Sequence, residues 1–226
     1  MTVFTGVFIA VYLVTLVCYF FSETSGNFNR RVLNKSILAS EFLLYGLIVY
    51  FTRFPAGTFY SICMMAIVFS WAGDIMLLFS FSRGGIPFTI GNILFVVYEI
   101  VYMTKLGVPF GKVWWCIPLF LIMWGAMHIL SRTGWLSGKH IVGFVRYGLS
   151  TTAHGCLGLA FACAYPTLPV ILLGVGLFLF TISDYFLALH NFKCPASKAI
   201  LRCNSGTYFI GLMLIVLSLL AESAVF

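Results

Sequence analysis

The residues of this chain best suited to chemistry are its carboxylates, because most of them interrupt long apolar segments. There are only six: Glu23, Glu41, Asp74, Glu99, Asp184 and Glu222. Glu23 is expected in a loop, whereas Glu41, Asp74, Glu99 and Asp184 fall inside apolar runs. A charge inside a bilayer costs at least about 2.5 kcal/mol on insertion scales, so such residues are usually functional or paired. Two carboxyl groups can divide acid–base chemistry between them, one carrying a proton and the other ionised.

Asp74 and Asp184 are the strongest candidates for such a pair. Asp74 closes the run Phe-Ser-Trp-Ala-Gly-Asp and Asp184 closes Phe-Thr-Ile-Ser-Asp, and an apolar turn follows each of them. Both are expected in the later part of spans that run in the same direction, at a similar depth in the cytoplasmic half. Glu41 and Glu222 lie near span ends, where a role in helix packing is the simpler interpretation.

Further polar groups are expected to reach the same layer. Four of them recur at helical spacing in the sixth apolar segment, with a basic residue beside them: Tyr147, Ser150, Thr151 and His154, next to Arg146. Intramembrane histidines and tyrosines more often serve as interhelical hydrogen-bond partners than as catalysts. The four histidines have no metal-ligand spacing, and neither a metal nor another cofactor is expected.

The composition requires that these groups be positioned by membrane helices. Of 226 residues, 62% are hydrophobic and 8% are charged, whereas soluble domains carry roughly 45–50% apolar and about 25% charged residues. These values exclude a water-soluble enzyme and a nucleic-acid-binding domain. The net charge of +7 is attributed to loop residues that face an anionic cytoplasmic leaflet.

Eight segments are long and apolar enough to cross a bilayer, which needs about 20 residues of helix. They are residues 3–21, 36–52, 59–80, 86–104, 113–130, 141–163, 168–189 and 206–224. The sequence therefore predicts an all-α bundle of eight transmembrane helices, forming a single integral membrane domain over residues 1–226. The similar surroundings of Asp74 and Asp184, four spans apart, would fit two parallel four-helix halves.

The basic residues predict the orientation of the bundle. The loops after spans 1, 3, 5 and 7 hold nine of them, and the loops after spans 2, 4 and 6 hold three. This bias places the odd-numbered loops in the cytoplasm and both termini outside it. A bacterial inner membrane is expected, or the endoplasmic reticulum if the protein is eukaryotic.

The order of several short motifs resembles the YhhN-like lysoplasmalogenase family. The first is Gly73-Asp74-x-x-Leu-Leu, followed by Phe88-x-x-Gly-x-x-x-Phe-x-x-x-Glu99-x-x-Tyr. The others are Ser-Asp184-Tyr-Phe-Leu-Ala-Leu-His190-Asn-Phe in span 7 and Thr-Tyr208-Phe at the start of span 8. Lys35, expected just before span 2, falls where that family usually has a lysine. The resemblance covers nearly the whole chain.

The resemblance implies an eight-span intramembrane hydrolase without a cofactor. The activity of the family is hydrolysis of the vinyl ether bond of lysoplasmalogens to a fatty aldehyde and a glycerophospho-headgroup, and its catalytic aspartates match Asp74 and Asp184. Two departures mark a divergent member: Glu99 stands where the family usually has histidine, and Leu212 where it usually has glutamine. The expected partners are a lysophospholipid substrate and membrane lipid, and not nucleic acid.

The residue types suit this chemistry independently of the resemblance. Protonation of the alkene carbon gives an oxocarbenium ion that water attacks, which calls for one protonated and one ionised carboxyl group, as in glycosidases. Substrate contacts are expected from Lys35, Glu99, Arg146, Tyr147, His154, His190 and Tyr208. Two other functions stay open: a small transporter that uses Asp74, Glu99 and Asp184 as proton or cation relays, and a non-catalytic lipid-binding protein.

Overall fold

The computed structural model describes residues 2–55, 57–79, 81–132, 138–192, 194 and 196–223, with side chains except at residues 2, 81–84, 130–132, 138–146, 191 and 192. Within this part of the chain the fold is all-helical, as predicted. Its eight α-helices are α1 (Thr2–Glu23), α2 (Phe28–Arg53), α3 (Tyr60–Leu77), α4 (Phe81–Lys105), α5 (Cys116–Arg132), α6 (Gly138–Ala164), α7 (Leu168–Phe192) and α8 (Lys198–Glu222). A short 3₁₀ turn, Phe110–Lys112, precedes α5.

Within the described part of the chain, six of the eight helices have the length and hydropathy of membrane spans. Among the described residues, α1, α2, α3, α7, α8 and the Gly85–Lys105 part of α4 are each long and apolar enough to cross a bilayer. The apolar part of α5, Cys116–Ile129, is shorter. Apolar side chains on the outer face of α1, such as Val3, Val7 and Val14, are exposed, as expected of a surface that faces lipid. The protein is a multi-pass membrane protein.

Two helices begin well before the positions predicted from hydropathy. Asn27 caps α2 by accepting a hydrogen bond from the Arg30 amide at 3.1 Å, and Ser197 caps α8 in the same way. Lys35, predicted just before the apolar span 2, therefore lies inside α2, and Tyr208, predicted at the start of span 8, lies inside α8. The apolar stretch marks only the part of a helix that meets lipid, whereas the capped helix continues beyond it.

Close helix contacts hold the second half of the bundle together. A Cβ added to Gly174 of α7 would collide with the carbonyl oxygen of Gly158 in α6. A Cβ on Gly176 would lie 2.7 Å from the carbonyl oxygen of Gly211 in α8. Small residues allow such backbone contact between helices in lipid, where no hydrophobic effect drives association. These contacts place α7 between α6 and α8.

The packing pattern of the first four helices recurs in the last four. Helix α3 packs on α4 as α7 packs on α8, α2 on α3 as α6 on α7, and α1 on α2 as α5 on α6. The contact between α2 and α8 has its counterpart between α6 and α4. This pattern agrees with two parallel four-helix halves. It brings α3, with Asp74, and α7, with Asp184, into equivalent positions.

Candidate active site

A cavity of about 330 Å³ opens at the end of the bundle where α1, α3 and α7 end and where α2, α4, α6 and α8 begin. Asp74 and Asp184 both line it. Asp74 is 1% exposed and Asp184 4% exposed. The structure thus brings the two aspartates singled out from the sequence to one cavity, which we call the carboxylate cavity.

Asp74 is held by a cation and a phenol. Lys35 of α2 places its Nζ 3.0 Å from Asp74 Oδ1, and Tyr208 of α8 donates its hydroxyl to Oδ2 at 2.6 Å. Both oxygens of this carboxyl group therefore have charge-stabilising partners from two other helices. Within the described part of the chain, this is the one lysine or arginine ion pair with a carboxylate.

Among the described side chains, the hydrogen-bond donors to Asp184 are two neutral hydroxyl groups. Tyr147 donates to Oδ1 at 2.5 Å and Thr151 donates to Oδ2 at 2.6 Å. The two donors stand one turn apart on α6, so the i, i+4 spacing seen in the sequence aims both at the same carboxyl group. The two aspartates therefore differ within the described part of the chain: a cation stabilises the ionised form of Asp74, whereas the described hydrogen bonds to Asp184 come from neutral groups.

His154 lies one layer behind Asp184. It is fully buried, and its Nε2 lies 3.3 Å from Thr151 Oγ1. The Thr151 hydroxyl therefore links the imidazole of His154 to the Asp184 carboxyl group. His154 thus acts on Asp184 through Thr151 and does not line the cavity.

An aromatic ring separates the partners of the two aspartates. The Phe88 ring of α4 lies 5.9 Å from the Tyr147 ring and 6.1 Å from the Tyr208 ring, edge to face in both cases. Behind it stands Gly73, where an added Cβ would lie 2.5 Å from Phe88 Cδ2. The glycine that precedes Asp74 therefore leaves room for Phe88 between the Tyr147 and Tyr208 rings, where Phe88 supplies an apolar wall to the cavity.

The structure places the other predicted substrate contacts in different parts of the bundle. Lys35, Tyr147, His190 and Tyr208 line the carboxylate cavity together with the aspartates. His154 and Glu99 do not. The side chain of Arg146 lies outside the described part of the chain.

Glu99 lies elsewhere in the bundle interior. It is fully buried, and neither of its oxygens has a hydrogen-bond partner among the described residues. A Cβ on Gly158 of α6 would lie 2.7 Å from Glu99 Oε1, so the carboxyl group is pressed between α4 and α6. Eleven residues separate Phe88 from Glu99, which places Glu99 about 16 Å further along α4.

Glu23 reaches the carboxylate cavity although the sequence placed it in a loop. That expectation is wrong, because Glu23 is the last residue of α1 and is 8% exposed. Its Oε1 accepts hydrogen bonds from Tyr19 at 3.0 Å and from Ser205 at 2.5 Å. Arg31, one turn before Lys35 on α2, also lines the cavity. The i, i+4 spacing of Tyr19 and Glu23 is the one sign of this arrangement in the sequence.

The remaining acidic residues serve helix packing. Glu222 accepts hydrogen bonds from Tyr60 and Tyr102, joining α8 to α3 and α4 at the opposite end of the bundle. Glu41 accepts from Thr15 and joins α2 to α1. Within the described residues, no three His, Cys, Asp or Glu side chains converge as a metal site requires.

Comparison with known protein families tests the family resemblance that the sequence motifs indicated. The YhhN family model matches residues 35–219, from the lysine beside Asp74 almost to the end of α8. The chain belongs to the YhhN family. The YhhN match includes both aspartates and all of their hydrogen-bond and ion-pair partners, whereas Glu23 and Arg31 precede it. No curated protein and no solved structure matches the chain.

Proposed function

We propose that this YhhN protein is an intramembrane hydrolase that cleaves the vinyl ether bond of lysoplasmalogens. The observation that carries the proposal is the pair of carboxyl groups on one cavity, Asp74 beside a cation and Asp184 among neutral hydroxyls. Membership of the YhhN family agrees with a lysoplasmalogenase-like membrane protein.

We assign different roles to the two carboxyl groups because their hydrogen-bond and ion-pair partners differ. Asp184, whose described hydrogen-bond partners are neutral hydroxyls, carries the proton and delivers it to the alkene carbon, which leaves an oxocarbenium ion at the ether carbon. Asp74, kept ionised by Lys35, stabilises this cation and takes a proton from the attacking water. The bond between the former alkene carbon and the glycerol oxygen then breaks.

The proton balance closes over the cycle. The hemiacetal hydroxyl returns a proton to Asp184, and Asp74 gives the proton it took from water to the departing glycerol oxygen. One vinyl ether and one water become one aldehyde and one alcohol, and both aspartates recover their starting states. The reaction therefore needs no redox partner and no external cofactor.

Hydrolysis of a lysoplasmenylethanolamine by detergent-purified protein tests the proposal. We expect fatty aldehyde and glycerophosphoethanolamine. In D₂O we expect one deuterium on the carbon next to the aldehyde carbonyl, which was the alkene carbon remote from the ether oxygen. The matched control is the 1-alkyl lysolipid of equal chain length, which has no alkene to protonate. Equal cleavage of the alkyl ether, or release of the headgroup by phosphodiester cleavage, would contradict the mechanism.

A further inference from the structure

A third carboxylate of the carboxylate cavity, Glu23, takes no part in the mechanism above. It is buried, two hydroxyl groups donate to its Oε1, and its Oε2 has no hydrogen-bond partner among the described residues. A buried carboxylate oxygen without a donor is costly, and such groups in native proteins normally meet a ligand or water. Glu23 thus offers an acceptor inside the cavity that no described side chain uses.

Glu23 is not neutralised by an ion pair. No lysine or arginine nitrogen of the described side chains lies within 4.0 Å of its oxygens, although the charges of Lys35 and Arg31 act on it from further away. A donor that carries a positive charge would satisfy its free oxygen better than a neutral one would.

Arg31 supplies the opposite charge at the same end of the cavity. Its guanidinium lies 5.6 Å from the centre of the Phe28 ring, and no described carboxylate lies within ion-pair distance of it. A guanidinium suits a phosphate, since its planar array of donors matches two phosphate oxygens. Residues 24–27 join α1 to α2, so that Glu23 at the end of α1 and Arg31 in the first turn of α2 both line the cavity.

We propose that Glu23 binds the ammonium group of a zwitterionic phosphoethanolamine headgroup, whose phosphate lies against Arg31. This inference rests on the proposed function in taking the ligand to be a glycerophospholipid. A purely anionic ligand would meet the carboxylates of Glu23 and Asp74 in this cavity, and a purely cationic one would meet Arg31 and Lys35. A headgroup carrying both charges matches both sets.

The same contacts select ethanolamine over choline. A primary ammonium donates N–H hydrogen bonds to a carboxylate, whereas a quaternary ammonium donates none and is best held by open aromatic faces. The aromatic side chain beside Glu23 is already engaged, since the Tyr19 hydroxyl donates to Glu23 and its ring packs edge to face on Phe209 at 5.7 Å. Glu23 is therefore a residue that determines headgroup specificity.

Binding of soluble headgroups to detergent-purified full-length protein tests the inference without requiring turnover. Calorimetric titration would compare glycerophosphoethanolamine, glycerophosphocholine and glycerol 3-phosphate. We expect the wild type to bind the ethanolamine compound roughly tenfold more tightly than the other two, as a hydrogen bond between charged groups provides. Glu23→Gln should remove most of this preference and leave the affinity for glycerol 3-phosphate within about twofold.

Two further variants separate recognition from folding. Glu23→Asp keeps the charge and should keep part of the preference. Glu222→Gln alters a buried carboxyl group that also accepts from two hydroxyls, but at the opposite end of the bundle, and should keep all of it. Equal wild-type affinity for the three compounds, or a preference unchanged in Glu23→Gln, would overturn the inference.

The outcomes also separate this inference from the proposed function. Headgroup selectivity without aldehyde release would uphold the Glu23 assignment and refute the hydrolase. Aldehyde release with equal kcat/KM for ethanolamine and choline substrates, in both wild type and Glu23→Gln, would uphold the hydrolase and refute the assignment.

Discussion

The ion pair between Lys35 and Asp74 can be tested by a double-mutant cycle. Lys35→Met keeps most of the side-chain volume and removes the ammonium, and Asp74→Asn keeps the shape of the carboxyl group and removes its charge. If the 3.0 Å contact is an ion pair inside the bundle, each variant leaves the other partner without its counter-charge, and the double variant leaves neither. The free energy of unfolding of the four proteins measures the coupling.

The burial of the two side chains sets the magnitudes. The side chain of Asp74 alone is 2% exposed, and that of Lys35 is 17% exposed. Breaking a buried pair usually costs about 3–5 kcal/mol, and we expect about 3 kcal/mol for Lys35→Met because Tyr208 still donates to Asp74. Asp74→Asn should cost only about 1 kcal/mol, because the cavity lets water reach the Lys35 ammonium. The double variant should lose about 2 kcal/mol, rather than the about 4 kcal/mol of two independent effects.

Denaturant titration in detergent micelles, followed by tryptophan fluorescence, gives these values. The matched control is Lys105→Met, whose ammonium lies 4.9 Å from the centre of the Phe59 ring. That variant should cost less than about 1 kcal/mol and should add to Asp74→Asn without coupling. Additive losses for Lys35→Met and Asp74→Asn would refute the ion pair, and with it the argument that Asp74 is the ionised member.

Two further variants, each with a matched control, test residues that position Phe88 and Asp184, which line the carboxylate cavity. Gly73→Ala places a Cβ 2.5 Å from Phe88, so we expect a loss of about 1–3 kcal/mol in unfolding free energy and a fall in hydrolysis as the ring moves into the cavity. In contrast, Gly125→Ala, with no atom within 4 Å of the new Cβ, should be neutral or stabilising in the same titration, and an equal loss would contradict the packing argument. Thr151→Val removes the hydroxyl that holds Asp184 and should lower kcat about tenfold or more. The control is Thr152→Val, because the Thr152 hydroxyl lies 3.4 Å from that of Tyr185 and does not bond Asp184; this variant should leave kcat unchanged. Equal kcat values for the two valine variants would contradict the role given to Thr151.

Much of this arrangement could be predicted from the sequence because charges are rare in apolar segments. The lengths of the apolar runs predicted eight transmembrane helices; the described residues form eight helices, six of which are long and apolar enough to cross a bilayer. The scarcity of carboxylates singled out Asp74 and Asp184, and the i, i+4 spacing of Tyr147 and Thr151 predicted one polar face of α6. These features are local, so hydropathy and helical periodicity are enough to find them.

The rest depends on contacts that sequence spacing does not encode. Glu23 owes its buried position to Ser205, which lies 182 positions further along the chain. The early start of α2 has only a capping residue, Asn27, to mark it. Glu99, predicted as a substrate contact, lies about 16 Å beyond Phe88 along α4 because of the helical rise.

The central claim is that Asp74 and Asp184 together carry out vinyl ether hydrolysis, and aldehyde release by three single variants tests it most directly. Asp74→Asn, Asp184→Asn and Glu222→Gln would each be purified in detergent, shown to be folded by circular dichroism, and assayed with lysoplasmenylethanolamine. Glu222 is the matched control, since it is a buried carboxyl group held by tyrosine hydroxyls outside the cavity. The account predicts aldehyde from the wild type and Glu222→Gln and none from either asparagine variant. Aldehyde release by a folded Asp74→Asn or Asp184→Asn variant at the wild-type rate would contradict it.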